Sequence, residues 1–461
     1  MSKFQKVKGV KDLYDKDMHD FLAVESVARN ICALYNYREI RIPEFEHTEV
    51  FAREGDSSDV VNKEMYTFTD QGDRSLTLRP EWTAGIIRSV VENKLYAKPD
   101  LPLKYFYIGT NFRSENPQKG RYRIFNQFGV ESIGVKSPYV DAEVMALGYT
   151  FVSSLGLKEF KIELNTIGDS ESRKAYNEAL IKHFEPVIDE LCDDCKRRLK
   201  QNPLRILDCK VDHKHPSVVN APLNREYLNE ESKQYYLQLK EILKSLSIPF
   251  EENPRMVRGL DYYSHTVFEY ISTHKDMGSQ STILGGGHYD YLVEQFGGPE
   301  MAAVGFGLGM ERLILALEAE KIDLGEPEPV DVYVMVLDEE ARTYAMQLSI
   351  YLKAYGIITE MNFKQRSMRS QFKSVERLHA DIVLIIGNTE LENGEVTIKN
   401  TVTQKQETVK AELMVETITK MIDNNITKAN ENKKYQCEGS EGEDCSCDDD
   451  EHDCNCDEHR H

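Results

Sequence analysis

KYFYIGTNFRSENPQKGRYRIFNQFGVESIG, residues 104–134, reads as two strands joined by a charged reversal. Residues 104–113 and 121–133 are rich in Tyr, Phe, Ile and Val, whereas the SENPQKG between them holds turn-forming residues. Alternate side chains of a strand share a face. Arg113, Arg121, Arg123, Phe125, Gln127 and Glu131 therefore fall together, and Ile108, Phe112, Ile124, Phe128 and Val130 fall opposite them. One face is apolar and the other carries three guanidinium groups. Arginine suits planar phosphate recognition and Phe offers a flat surface to a base, so the hairpin is read as a nucleotide site. A solvent-facing hairpin held by ordinary ion pairs is the alternative.

The chain around it has 461 residues, 40% hydrophobic and 29% charged, enough for two or three globular domains. The amino terminus, MSKFQKVKGVKDLYDKD, lacks the apolar core of a signal peptide, and no window approaches a membrane-spanning run. A cytoplasmic protein is expected, without membrane or DNA partners. Net charge is −21, of which residues 437–461 supply −10, with eleven Asp or Glu against Arg460. The acidic remainder argues against nonspecific nucleic-acid binding over the whole surface but leaves room for local basic stripes at 196–214 and 364–377.

In chain order, an amphipathic helix over 20–37 precedes a β-rich run broken by Pro43. SLTLRPEWTAGIIRSVVENKL gives a strand, a turn at Arg79–Pro80 and a helix with Thr83 near its start. After the hairpin come a helix over 141–155 and a strand in KEFKIELNTIG. Residues 170–246 are mostly charged helix and read as an insertion. MVRGLDYYSHTVFEYIS restores strand character, LGGGHYDYLVEQFGG lets backbone approach a ligand closely, and GFGLGMERLILALEAE is a glycine-rich strand entering a helix at Glu311 and Arg312. The Pro/Gly/Glu-rich IDLGEPEPV, 322–330, is a linker to a small α/β domain whose strands are continuous apolar runs. Beyond 430 the apolar content is too low for independent folding.

LTLRPE, FRSENPQKGRYRIFNQ, RGLDYY, GGGHYD and GFGLGMERL, with the run around Pro43, together resemble a class II aminoacyl-tRNA synthetase, and within that class the histidyl-tRNA synthetase family. The resemblance implies an α+β fold: a catalytic domain over 1–325, an antiparallel sheet flanked by helices with the helical insertion at about 170–246. A C-terminal α/β anticodon-binding domain would follow over 330–425, then an acidic, disordered Cys/His-rich tail over 430–461. It implies ATP-dependent ligation of histidine to its tRNA through histidyl-adenylate, with Mg2+ as the usual companion of ATP, and a homodimer built on the Pro43 region. By the same resemblance Arg113 and Arg258 form a catalytic clamp on the α-phosphate, in a role that other class II enzymes often give to a metal. Arg312 holds the γ-phosphate, Phe125 stacks on adenine, and Arg121 and Arg123 support the phosphates or the loop. Glu115 faces the adenine edge or magnesium. For histidine, Glu81, Thr83 and Gln127 take the ammonium, Glu131 and Tyr263 read the ring nitrogens, Tyr289 closes the pocket, and Arg258 touches both substrates. Lys364, Arg366, Arg369 and Lys373 present a basic helix to tRNA.

Trp82 stands where the family commonly has Gly and His288 where it commonly has Arg, both expected beside the histidine pocket. The competing reading is a catalytically silent synthetase-like protein, either a regulatory subunit of histidine biosynthesis or a sensor of uncharged tRNA. Arg113, Arg258, Glu131 and the RNA-binding domain argue against the regulatory subunit. Nine cysteines remain. Cys32 sits at core spacing in the first helix. Cys192 and Cys195, with Cys209, His213 and His215 downstream, fit either a zinc knuckle or a helix with reduced thiols, and the imperfect spacing favours the latter. In the tail, Cys445, Cys447, Cys454, Cys456 and His452, near Cys437, His459 and His461, suit zinc, nickel or copper(I).

Overall fold

The computed structural model describes residues 4–53, 60–327, 329–364 and 366–438. The chain divides into two compact units, Met1–Glu326 and Pro327–His461. The first is organised on an eight-stranded sheet in the order Arg38–Glu39, Leu103–Phe112, Ile124–Ile133, Ala303–Gly309, Thr282–Tyr289, Ser264–Ser272, Phe160–Thr166, Glu251–Glu252. The six central strands run antiparallel and the two short outer ones pair in parallel. A separate antiparallel sheet of Phe45–His47, Ser75–Leu78 and Tyr66–Thr69 follows the Pro43 region.

The hairpin supplies the second and third strands of this sheet, and its alternation sorts two cores. Phe106, Phe128 and Val130 enter the main core with Phe21, Val24, Ala28, Ile31 and Cys32 of the helix Asp15–Leu34 and Val144, Leu147 and Phe151 of the helix Pro138–Ser154. Leu103, Tyr107 and Ile133 point the other way, toward Trp82, Ile86, Ile87 and Tyr289. The strands end at Phe112 and Ile124, so Arg113, Arg121 and Arg123 belong to the connection and not to regular strand. Ile124, expected on the apolar face, is 41% exposed because the hairpin tip projects past the core.

The insertion is helical, with Asp169 and Asn229 each accepting a backbone N–H at the head of its helices, Ser170–Phe184 and Glu230–Ser245. Between them Tyr176, Leu180, Phe184, Leu191, Cys195, Leu204, Ile206 and Cys209 form a small core of their own.

The second unit has a five-stranded sheet ordered Thr359–Met361, Val332–Val336, Ile382–Ile386, Glu395–Asn400, Gln406–Lys410. The first three are parallel, as continuous apolar runs suggest, and the last two add an antiparallel edge whose outer strand is concealed by a polar sequence. The helix Met368–Arg377 is pinned by Gln371, which accepts from Val336 N (3.1 Å) and donates to Val336 O (2.7 Å). Its neighbours Lys364, Arg366, Arg369 and Lys373 are exposed. The closing helix, Met414–Glu438, passes 430, the expected start of the tail, because a helix nucleated on the core at Met414 and Ile418 extends at little cost. The tail ligands Cys445, Cys447, His452, Cys454 and Cys456 lie outside the described residues.

Phe128 is fully buried whereas Ile124 is not. Phe128→Ala is expected to cost about 3–5 kcal/mol in urea denaturation and Ile124→Ala less than about 1 kcal/mol; equal costs would contradict the sorting of the two faces.

Candidate active site

On the inward side of the hairpin lies a cleft in the first unit. Its walls bring together Glu81, Thr83, Arg113, Glu115, Arg121, Phe125, Gln127, Glu131, Arg258, Tyr263, Tyr289 and Arg312, residues drawn from positions more than 200 apart in the chain. Trp82, Tyr107, Tyr262 and Glu311 line it as well. Arg123 is the exception among the expected residues. Its backbone N–H donates to Gly9 O (2.8 Å) and its Nε to Glu115 O (3.2 Å), so it supports the loop and does not face the cleft. The bond to Gly9 lies just outside the regular strand, where strict alternation no longer applies.

At the inner end, Glu131 is 1% exposed. Thr83, at the head of the helix Thr83–Glu92, donates to its Oε1 (2.6 Å), and Tyr289, at the end of its strand, donates to its Oε2 (2.6 Å). Burial pushes the Glu131 carboxyl up to about 8, against the two hydroxyl donors and with added repulsion from Glu81. Glu81 is also raised by burial, opposed by Arg53 and Arg113. Its Oε1 accepts from Ala84 N (3.0 Å), while Oε2 has no hydrogen-bond partner among the described residues. Gln127 accepts from Asn111 through Oε1 (2.7 Å), which keeps a second lone pair for a further donor. The rings of Tyr262 and Tyr263 (4.8 Å) and of Tyr262 and Tyr289 (5.4 Å) close one side. The pocket thus offers a buried carboxyl, a second carboxylate oxygen, an amide and phenols, a set suited to a small polar cation-bearing ligand.

At the outer end, the Arg113 guanidinium lies over the Phe125 ring (5.2 Å) and donates to Pro80 O (2.9 Å), leaving nitrogens for an anion. Glu115 pairs with Arg121. Arg258 pairs with Glu269, a partner absent from the sequence reading. Arg312 donates to Gly120 O (3.3 Å) and Thr282 O (3.0 Å). Beside it, Glu311 accepts from Asn126 N (2.8 Å) and Nδ2 (3.1 Å), and burial raises its carboxyl to about 7.

The glycines of the two neighbouring strands make this crowding feasible. A Cβ at Gly305 would collide with the Glu131 carboxylate, one at Gly307 with Gln127, and one at Gly285 with the Arg258 guanidinium. Their spacing in GFGLG and GGGHYD was the sequence signal for a close approach, although what approaches is largely the protein's own side chains.

The two unusual positions separate. Trp82 does line the cleft, stacked on Tyr107 (4.7 Å) beneath the Arg79 guanidinium (3.8 Å), with its ring over Gly109. His288 does not, contrary to expectation, because alternation in its strand turns it away from Tyr289. It is fully buried between Asp141 Oδ1 (2.9 Å) and Asp290 Oδ1 (3.0 Å). Burial alone would lower its pKa, but the two carboxylates outweigh it and hold the imidazolium up to about 9.

The mainly antiparallel sheet with helices about it follows the plan of a class II aminoacyl-tRNA synthetase. The family model described as Histidyl-tRNA synthetase matches residues 9–313, and one described as Anticodon binding domain matches residues 331–421. A histidine–tRNA ligase of Bacillus cytotoxicus is 49% identical over 403 residues, 87% of this chain and 95% of that protein. The apo histidyl-tRNA synthetase of S. aureus superposes with a TM-score of 0.77 at 42% identity, covering 90% of this chain and 99% of that one. A Bacillus halodurans protein described as an ATP phosphoribosyltransferase regulatory subunit/histidyl-tRNA synthetase matches at 21% identity and TM-score 0.60, covering 84% and 99%, a likeness of fold alone. The chain belongs to the histidyl-tRNA synthetase family.

Because the Glu131 carboxyl is raised above its unfolded value, its contribution to stability is complete at low pH and is lost as pH climbs toward about 8. Glu131→Gln removes that loss. Its melting temperature relative to the parent should therefore rise between pH 5 and pH 8; a pH-independent difference would contradict a raised, buried Glu131 carboxyl.

Proposed function

We propose that this protein is a histidine–tRNA ligase working in the cytoplasm as a homodimer. It activates histidine with ATP and then passes the histidyl group to the terminal adenosine of its tRNA. The observation that carries the reading is the buried Glu131 carboxyl, braced by Thr83 and Tyr289 at the end of a cleft whose other end is cationic.

Histidine enters with its ammonium toward Glu81, Thr83 and Gln127. Its imidazole lies between Glu131 and Tyr263, under Tyr289. A free Glu81 oxygen is satisfied by this cation and left unpaired by apolar amino acids, which is the basis for rejecting them. ATP lies along the hairpin with adenine on Phe125 and the γ-phosphate toward Arg312. Histidine's carboxylate oxygen attacks the α-phosphorus, the bond to the bridging oxygen breaks, and pyrophosphate leaves. Arg113 and Arg258 face the charge that develops on the α-phosphate, and their fixed bonds to Pro80 and Glu269 keep the clamp organised beforehand. Glu115 and Glu311 offer carboxylate oxygens suited to a phosphate-bound Mg2+, which supplies charge neutralisation when present. For the transfer step a phosphate oxygen of the adenylate serves as base. Lys364, Arg366, Arg369 and Lys373 are assigned to tRNA, and the Cys/His tail to binding a soft metal.

A silent regulatory role shares the fold but has no need of the guanidinium clamp. Histidine-dependent ATP–pyrophosphate exchange distinguishes them, and no exchange above background would remove the ligase reading. Within it, Arg258→Ala is expected to slow exchange about 10²- to 10³-fold with ATP affinity changed by less than about threefold. An undiminished rate would take Arg258 out of the clamp.

A further inference from the structure

Outside the cleft, one cluster in the insertion is built from metal-ligand chemistry. Cys192, Cys195, Cys209 and Asp212 present their ligand atoms within 4.8 Å of one another. The histidines expected from sequence turn elsewhere: His213 Nδ1 meets Lys210 O (2.9 Å), and His215 engages Ser217 and Glu190. Asp212 takes their place. Cys195 and Cys209 are buried, and Asp212 is 9% exposed.

We propose that Cys192, Cys195, Cys209 and Asp212 hold a structural Zn2+ that braces the loop carrying Arg258. With Zn–S near 2.3 Å and Zn–O near 2.0 Å, a tetrahedral site has S–S edges of about 3.8 Å and S–O edges of about 3.5 Å. Cys192 Sγ and Cys209 Sγ stand 3.6 Å apart, and Cys209 Sγ and Asp212 Oδ2 also 3.6 Å. A disulfide would need about 2.05 Å and would leave a third thiol and a carboxylate converging on nothing. Outer bonds already orient the donors: Cys192 N donates to Asp212 Oδ2 (3.0 Å) and Asp212 N to Cys209 Sγ (3.4 Å). Three thiolates exclude Mg2+ and Ca2+ in favour of a soft or borderline cation, and four protein ligands leave no open position for catalysis.

The bound metal ties the start of the helix Asp193–Gln201 to the turn after Pro203–Ile206. The segment between these anchors supports the active-site loop from behind. Asn202 Nδ2 donates to Asp261 Oδ1 (2.8 Å), and an Arg205 guanidinium nitrogen donates to Arg258 O (2.9 Å). Asn202 and Arg205 are positioning residues, and their effect on Arg258 rests on the ligase reading above.

The test uses the full-length chain with Cys437, Cys445, Cys447, Cys454 and Cys456 changed to serine, so that the tail contributes no thiolate. Elemental analysis is expected to find about one zinc per chain, and Co2+ exchange to give thiolate charge-transfer and tetrahedral d–d bands. Cys209→Ser in that background should lose both signals, Cys32→Ser neither, and Asp212→Cys should keep the metal with stronger charge transfer. Chelation should slow ATP–pyrophosphate exchange about 10- to 100-fold, with recovery on adding zinc. A tail-serine protein that holds no zinc, or a Cys192–Cys209 disulfide in it, overturns the site without reference to any variant's folding. Zinc retained after Cys209→Ser also overturns it. Zinc present with exchange indifferent to its removal overturns the bracing of Arg258, whereas absence of exchange in the untreated protein counts against the ligase reading alone.

Discussion

A carboxyl group buried to 1% exposure at the floor of the cleft is the constraint on which this catalytic unit depends. Glu131 must lie where water does not reach, and an ionised carboxylate there is costly unless donors surround it. The donors come from two distant places, Thr83 at the head of a helix and Tyr289 at the end of a strand, with room made by Gly305. Meeting this one requirement therefore fixes how the helix, the hairpin and the glycine strands come together.

The sheet also keeps its two faces chemically apart. Even-numbered hairpin residues enter the main core, whereas odd-numbered ones meet the second core or the cleft. The same alternation places His288, its pKa raised by the two carboxylates, between Asp141 and Asp290, joining the helix Pro138–Ser154 to the sheet within a polar cluster that also includes Ser264, His265 and Thr266. A positive charge at that position balances two buried carboxylates, a role in which a basic side chain of another kind could substitute.

Much of this was legible in sequence because strand alternation is strict: Phe125, Gln127 and Glu131 could be put on one face without any structure. Legibility failed where backbone left the regular ladder. Arg123 lies one residue outside the strand and follows its bond to Gly9 instead of the alternation. Glu269 could not be paired with Arg258, since pairing depends on how the 258–263 loop folds back over Gly285. Asp212 escaped notice for a different reason. An aspartate beside cysteines resembles any surface acid, and only the turn after Ile206 carries it to the three thiols. In the second unit the edge strand Gln406–Lys410, almost wholly polar and exposed, has too little apolar patterning to be read as strand, although Val396 and Ile398 of its neighbour alternate into the core.

The glycine strands bear on how the cleft's specificity could change. Where a pocket is walled by large side chains, truncating one of them enlarges it; at Gly285, Gly305 and Gly307 there is no side chain left to remove. Substitution on that surface can only narrow the cleft or displace Arg258, Glu131 or Gln127. Room for a larger amino acid would have to come from truncating the large side chains that line the cleft, Trp82, Tyr107, Tyr262 or Tyr289.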